Sequence, residues 1–370
     1  MRPLDGIRIL DLTRLLPGAY ATLQLADLGA EVIKVEDPRG GDHARHMAPL
    51  VNGVSASFQI LNRNKRSITL DLRSLDAAGV LDALAAKADV VVDSFRPHTA
   101  RRLGVDAETL RVRHPRLICA SITGFGLTGP FADRAAHDIN YEALAGLLTH
   151  VAGAATGAEA GIPHVPPLLV ADIGAAMNAS AGILAALFQR ERTGVGAVVD
   201  ISIHEAALAW TQCPSTPGLR GASACYNLYE TADGEWLALG ALEPKFWIGF
   251  CERIGRPDLA ALQHAEGDER ARVLREVRDI VRSRTRAEWL ARFADADVCL
   301  TPIYTLDEVV ADPHVVARRV VTRDAGATYI TAPHVHVRPA PALGADTDDV
   351  LETVGIDAAD RDRLRASGVI

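Results

Sequence analysis

The sequence predicts a two-domain α/β protein: a large doubly wound domain and a smaller α+β domain. Three observations carry this. Strand-like and helix-like runs alternate through the first 123 residues, the signature of a sheet with crossover helices. A stretch with two prolines and two glycines at 214–221 then interrupts the pattern, and a hairpin signal follows it. The chain, at 370 residues and 48% hydrophobic, is long enough to build two domains and a sizeable core.

The opening reads strand, helix, strand over residues 7–13, 18–28 and 31–36. A β-α-β unit implies parallel strands and a right-handed crossover. Pro17-Gly18 is expected to make the tight strand-to-helix turn. Residues 38–64 show few periodic signals, and a stretch this long suits a functional loop or lid. Strand, helix and strand return at 67–72, 77–87 and 90–94, and another strand at 117–123. Helices are expected over 139–150, 173–189 and 205–211, with a turn and strand across 194–203. In the second region, 226–229 and 236–239 flank T-A-D-G-E, a hairpin with Asp-Gly at its turn. Charge-rich helices run from there to about residue 295. The expected division is a large domain at 1–212 and 320–370, a small domain at 222–310, and linkers at 213–221 and 311–319.

Aromatics are only 5% of the chain, so Ala, Val and Leu must fill the interior. A net charge of −8 argues against general nucleic-acid binding. The five cysteines (119, 213, 225, 251, 299) are scattered and form no C-x-x-C. That fits a reduced, cytoplasmic protein without a disulfide framework or zinc site. The first dozen residues lack the apolar core of a signal peptide. The most apolar window, 171–188, contains Asp172 and Asn178 and is rich in alanine, which suits a packed helix better than a membrane span.

Three groups stand where a loop or strand gives way to a helix: His137 with Asp138, Asp172 and Glu243. Helix N-termini carry free N–H groups and partial positive charge, so they favour developing negative charge. An imidazole and two carboxylates there could move a proton on and off carbon. Each also has a plainer reading. Asp172 could be an ordinary N-cap, which would lower its pKa. Glu243 before Pro244 could be a cap with proline at the first helical position. Asp138 could be only a helix-start carboxylate. Gly124-Phe125-Gly126-Leu127-Thr128-Gly129 spells G-x-G-x-x-G, yet Pro130 follows at once and the helix begins only near 139. A tight turn beside a substrate fits better than a dinucleotide site. Basic residues gather in R-N-K-R (63–66), at Arg73 and in F-R-P-H-T-A-R-R (95–102). They read as a solvated face or as a set that holds phosphates.

The motifs A-H-D-I-N-Y (136–141), L-V-A-D (169–172), T-A-D-G-E (231–235) and G-A-L-E-P-K-F (240–246) occur in order along the chain. With them the sequence resembles the α-methylacyl-CoA racemase branch of the class III CoA-transferase superfamily, over nearly its whole length. The resemblance implies a Rossmann-like large domain to which the C-terminal tail returns, and an intertwined homodimer. It implies an acyl-CoA substrate and no metal or redox cofactor. His137 and Asp172 would exchange protons with Cα, and Glu243 would partner His137. CoA would run along Leu70, Asp71, Leu72 and Arg73, and past Phe95, Arg96 and Arg101. Gly124, Ala136, Asp138 and Tyr141 would also bind the substrate. A CoA-transferase would instead use Asp172 as nucleophile, and a CoA-binding protein without catalysis would keep the pocket alone. Three departures from the racemase pattern stand out: Asp37 replaces an arginine that Arg39 could substitute for, the G-G-D loop (40–42) and N-R-N-K-R-S (62–67) look transferase-like, and the linker before the small domain is brief.

Overall fold

The computed structural model describes residues 1–51, 53–152, 162–212, 220–324, 327–333 and 335–370. The chain forms two compact units. One comprises Met1–Leu148, Val165–Gln212 and Ala317–Ile370; the other Thr149–His164 and Cys213–Val316. The expected linker at 213–221 falls mostly outside the described residues.

The larger unit is built on six parallel strands: β1 (Arg8–Asp11), β2 (Glu31–Glu36), β3 (Arg66–Thr69), β4 (Val90–Asp93), β5 (Ile118–Thr123) and β6 (Val198–Ser202). Their spatial order is β3-β2-β1-β4-β5-β6, with Ile9 paired to both Val32 and Val90. This is the doubly wound Rossmann order, whose direction reverses between β1 and β4. Every residue of β4 and of β5 is buried, as a parallel sheet covered on both faces requires.

Successive side chains of a strand enter opposite cores. Ile9, Val90, Val92, Ala120 and Ile122 pack with α1 (Leu15–Asp27) and α8 (Val170–Thr193). Leu10, Val91 and Cys119 face the other way, toward α3 (Ala77–Ala85) and the tail residues Val350, Leu351, Leu364 and Ile370. Asp346 anchors that tail by accepting the Ser67 N–H at 2.9 Å. Helix α8 is long and apolar enough to cross a membrane, and half of its apolar window is buried in the protein. Ala175, Ala176 and Ala179 bring it close to α1, where the Ser180 hydroxyl donates to the Ala21 carbonyl at 3.1 Å.

Several sequence expectations are corrected here. Pro17 and Gly18 lie inside the first turn of α1, and Leu15 makes the turn at φ 61°. Gly18 is needed because a Cβ there would stand 2.2 Å from the Thr13 Cβ. The 38–64 stretch is ordered in short pieces: a 3-10 turn at His43–His46, a hairpin pairing Leu50–Val51 with Val54–Ser55, and α2 (Ala56–Leu61). Buried ion pairs pin it, Lys34 to Asp42 at 2.9 Å and Arg45 to Glu36 at 2.7 Å. Elements this short leave no period in the sequence. Two unforeseen helices, α4 (Pro97–Leu103) and α5 (Ala107–Arg113), follow β4. The helix expected over 139–150 is two, α6 (Asp138–Leu144) and α7 (Leu147–Ala152), parted at Gly146 with φ 79°. The larger unit also holds α9 (Ile203–Trp210), a two-stranded pair β10 (Val321–Asp324) and β11 (Ala327–Ile330), and the tail helices α15 (Thr347–Thr353) and α16 (Ala358–Ala366).

The smaller unit carries the antiparallel sheet β9-β8-β7, from β7 (Tyr226–Glu230), β8 (Trp236–Gly240) and β9 (Leu300–Pro302). Gly234 closes the β7–β8 turn at φ 76°. Helices α10 (Pro244–Arg253), α11 (Gly267–Val281) and α12 (Arg286–Phe293) bury Trp247, Phe250, Trp289 and Phe293 against it. The 311–319 stretch is mostly helical, through α13 (Leu306–Ala311) and α14 (Pro313–Arg318).

Candidate functional site

In an open parallel sheet, ligands bind outside the carboxyl ends of the strands, where the strand order reverses. In the larger unit two cavities of about 400 and 390 Å³ lie there, sharing Arg14, Phe95 and Thr99 in their walls. His137, Asp172, Asp138, Tyr141, Gly124 and Ala136 line one of them, beside Phe95 and Arg96. Leu70, Asp71, Leu72 and Arg73 line the other, again with Phe95. Arg101 faces a third cavity, which it shares with Leu72, Arg73 and Arg102. The structure therefore gathers the sequence-derived residues of this unit along one edge of the sheet. Glu243 belongs to the smaller unit.

The turn after β4 is shaped by Asp93, which accepts the Phe95 N–H at 2.9 Å and the Ser121 hydroxyl at 2.7 Å. Arg96 follows as the N-cap of α4, with Pro97 in its first turn. After β5 the chain turns at Gly124, where a Cβ would meet the Tyr141 hydroxyl at 2.4 Å. Glycine is required by that close approach. Tyr141 donates to the Ala136 carbonyl at 3.0 Å and stacks edge-on against Phe125 at 5.3 Å. Burial pushes its phenol up to about 12, so it acts as a clamp and not as an acid.

His137 is the N-cap of α6 and is exposed to the cavity. Its N–H donates to Asn140 Oδ1 at 3.0 Å and its carbonyl accepts the Asn140 N–H at 2.8 Å. Asp138, the first residue of α6, is buried and reaches across to α8. Its Oδ1 accepts the Asp172 N–H at 2.9 Å.

That bond corrects the N-cap reading of Asp172. Helix α8 starts at Val170, so Asp172 is its third residue, and Leu169 holds the N-cap position without a side-chain bond. A carboxyl from another helix does the capping. Asp172 thus loses the bond that would have lowered its pKa and gains a negative neighbour. Burial first, and then the charge of Asp138, push its carboxyl up to about 7. Glu243 is the N-cap of α10, exposed, with Pro244 in the first turn. Its side chain makes no capping bond, so capping does not account for it.

The basic set divides. Three of its members are structural. Lys65 is fully buried and reaches Asp11 at 3.0 Å, the Thr22 hydroxyl at 2.8 Å and Asn62 Oδ1 at 3.0 Å. Arg63 pairs with Asp27 at 2.5 Å, and Arg66 with Glu31 and Asp346, both at 3.1 Å. Their positions just before and at the start of β3 turn them toward neighbouring elements. Arg73 and Arg39 share Asp37 and Asp71 in a four-membered cluster at 2.7–3.0 Å, which nearly cancels its own charge. Arg14, Arg96, Arg101 and Arg102 have no ion-pair partner among the described residues, and all four line these cavities. Arg14, stacked over Phe95 at 5.5 Å, escaped the sequence reading. Its place directly after β1, at the point of reversal, was the available signal. Among the described residues no group of three or more His, Cys, Asp or Glu is arranged to hold a metal ion.

The comparisons with known proteins identify the family. The profile of CoA-transferase family III matches residues 4–347. The chain is 31% identical to human alpha-methylacyl-CoA racemase, covering 99% of this chain and 97% of that one. It is 32% identical to mouse succinyl-CoA:glutarate CoA-transferase, covering 100% and 91%. Among solved structures, a hypothetical protein of Mycobacterium tuberculosis superposes with a TM-score of 0.81 at 32% identity, covering 95% of this chain and 99% of that one. A CAIB/BAIF family protein of Brucella suis gives 0.81 at 28% identity, with the same coverage. A cavity at the point of strand reversal, an Asp and a His facing into it, and matches along almost all of the chain lead to one assignment: this protein is an enzyme of CoA-transferase family III, among relatives that include both CoA-transferases and α-methylacyl-CoA racemases.

Proposed function

We propose that the protein epimerises 2-methylacyl-CoA thioesters by 1,1-proton transfer at Cα. The observation that carries this reading is Asp172, raised to about 7 in the cavity that His137 also lines. A group that both takes and returns a proton works best with a pKa near the ambient pH. A histidine meets that condition ordinarily, and Asp172 meets it through burial and Asp138. The thioester carbonyl acidifies Cα. One group removes the proton on one face while the other returns one on the opposite face. The enolate oxygen is received by the Asp138 N–H, which the first position of α6 leaves outside the helix ladder. The thioester supplies the activation, so no metal or redox cofactor is invoked.

The CoA portion lies along the second cavity, its phosphates toward Arg14, Arg96 and Arg102. The enzyme acts as a homodimer in which Glu243 of one chain orients His137 of the other. Light scattering that finds a monomer at micromolar concentration would remove that arrangement. A cytoplasmic location is supported by the free thiols, of which Cys119, Cys225 and Cys251 are buried.

The second reading, a CoA-transferase with Asp172 as nucleophile, draws support from the transferase relatives of similar identity. Two variants separate the readings. His137→Ala should cut turnover of a 2-methylacyl-CoA about a hundredfold or more if the imidazole is a general base. Under the transferase reading that change is mild, and hydroxylamine traps an acyl group on Asp172.

A further inference from the structure

Glu142 has no place in the mechanism above, yet it is 0% exposed. It lies one turn after Asp138 on α6, so the two carboxyls share a face of that helix. Its carboxyl lies against the carboxyl of Asp138 and the N–H groups of Val170 and Ala171. Those are the first two residues of α8, and the third, Asp172, gives its N–H to Asp138. The three leading donors of the long helix therefore face two carboxyls of α6. Neither oxygen of Glu142 makes a well-aligned hydrogen bond among the described residues. A buried carboxyl in that condition is normally protonated or shares a proton.

The remaining titratable surroundings are few. Asp138 is the charge nearest Glu142, and Asp138 in turn lies beside Asp172. His137 and Tyr141 are on the same helix, and Arg96 acts on Tyr141. Helix α9, also packed on α6, carries His204, against the Phe125 ring, and the exposed Glu205. Burial and Asp138 together raise Glu142 to about 7.

We propose that Glu142 is a positioning residue for Asp172: it holds a proton against the Asp138 carboxyl behind the first turn of α8, and release of that proton to solvent places a further negative charge behind the reacting carboxyl. Below its transition Glu142 is neutral. Above it Glu142 is ionised, and Asp172 holds its own proton more tightly. The range of pH over which Asp172 can change hands with a proton is thus set by a residue that never touches the substrate. This inference rests on Asp172 as the reacting group, in either of the two reactions considered above.

The test is a carbon-13 carboxyl NMR titration of the full-length protein, which needs no turnover. Asp172 is assigned by the signal lost in Asp172→Asn, and Glu142 by the signal lost in Glu142→Asp. In the wild type both signals should titrate near neutral pH, each sensing the other as a second inflection. Glu142→Gln mimics the protonated form at every pH. It should lower the apparent pKa of Asp172 by about 0.5–1 and leave a single simple step. Glu142→Asp should restore the second inflection. A Glu142 signal that titrates below about pH 5 in the wild type overturns the proposal, whether or not the Gln variant folds. So does an Asp172 curve unchanged in Glu142→Gln, which would leave Glu142 a purely structural cap. Coupled titration together with absent proton exchange at Cα would instead reject the epimerase reading and leave this inference standing.

Discussion

The Asp172 main-chain N–H donates to Asp138 Oδ1 at 2.9 Å, so one acidic residue caps the helix that carries the other. The bond couples placement to charge. It fixes the first turn of α8, and it brings to Asp172 a negative neighbour whose charge adds to burial in raising its pKa. Asp138→Asn keeps an oxygen acceptor and removes the charge. It should lower the pKa of Asp172 from about 7 only in part, since burial, the larger cause, remains, and with little loss of stability. Asp138→Ala loses the cap as well and should cost about 1 kcal/mol. Carboxyl NMR and thermal unfolding of the two variants check this.

Asp172 also makes stability depend on pH. Its ordinary value of 3.8 is raised to about 7 in the folded protein, so folding favours the protonated form. The associated stability is fully present below 3.8 and is lost as pH rises through about 7. Asp172→Asn is neutral throughout. It should unfold like the wild type near pH 4 and be more stable than the wild type above pH 7, by on the order of 2–4 kcal/mol. Denaturant unfolding at several pH values measures the difference. A variant less stable at pH 8 than the wild type contradicts the raised pKa.

Gly124→Ala should damage the site without touching a charge. The new methyl would stand 2.4 Å from the Tyr141 hydroxyl, which must then leave its bond to the Ala136 carbonyl. Overpacking of this kind costs about 1–3 kcal/mol. The shift of Tyr141 should also displace the neighbouring His137, so turnover should fall further than stability alone explains. Kinetics measured well below the melting temperature separate the two effects.

The division of the basic residues predicts opposite behaviour in two substitutions. Arg96→Ala should raise the CoA-thioester dissociation constant about tenfold, or about 1.4 kcal/mol, at unchanged stability. Lys65→Met leaves buried Asp11 without its cation and should destabilise the protein by about 3–5 kcal/mol. The affinity of the folded fraction should not change. Calorimetric titration and thermal unfolding of both variants decide this.

Much of this arrangement was legible in the sequence, for identifiable reasons. Strands β4 and β5 are buried on both faces and read as largely apolar runs. His137 and Glu243 were placed correctly as the residues before helices, because I-N-Y and Pro244 mark the starts. Asp172 was misplaced because its cap comes from Asp138, 34 residues away, and no local pattern encodes that. The same limit hid Glu142. A glutamate amid helical residues looks like a solvated one until the packing of α6 on α8 removes the water. R-N-K-R looked like a phosphate site because the sequence shows charge but not the acidic residues that Arg63, Lys65 and Arg66 meet in the fold.

The most direct test of proton transfer at Cα uses a 2-methylacyl-CoA of a single configuration, incubated with the enzyme in deuterium oxide. Cα is followed by NMR and by chiral analysis of the product, with and without an added free carboxylic acid. The proposed function predicts deuterium at Cα and loss of configuration without the acid, and about a hundredfold less of both in His137→Ala. Retention of the Cα–H bond across a panel of such thioesters, with CoA passing to the added acid, would contradict it and establish the transferase.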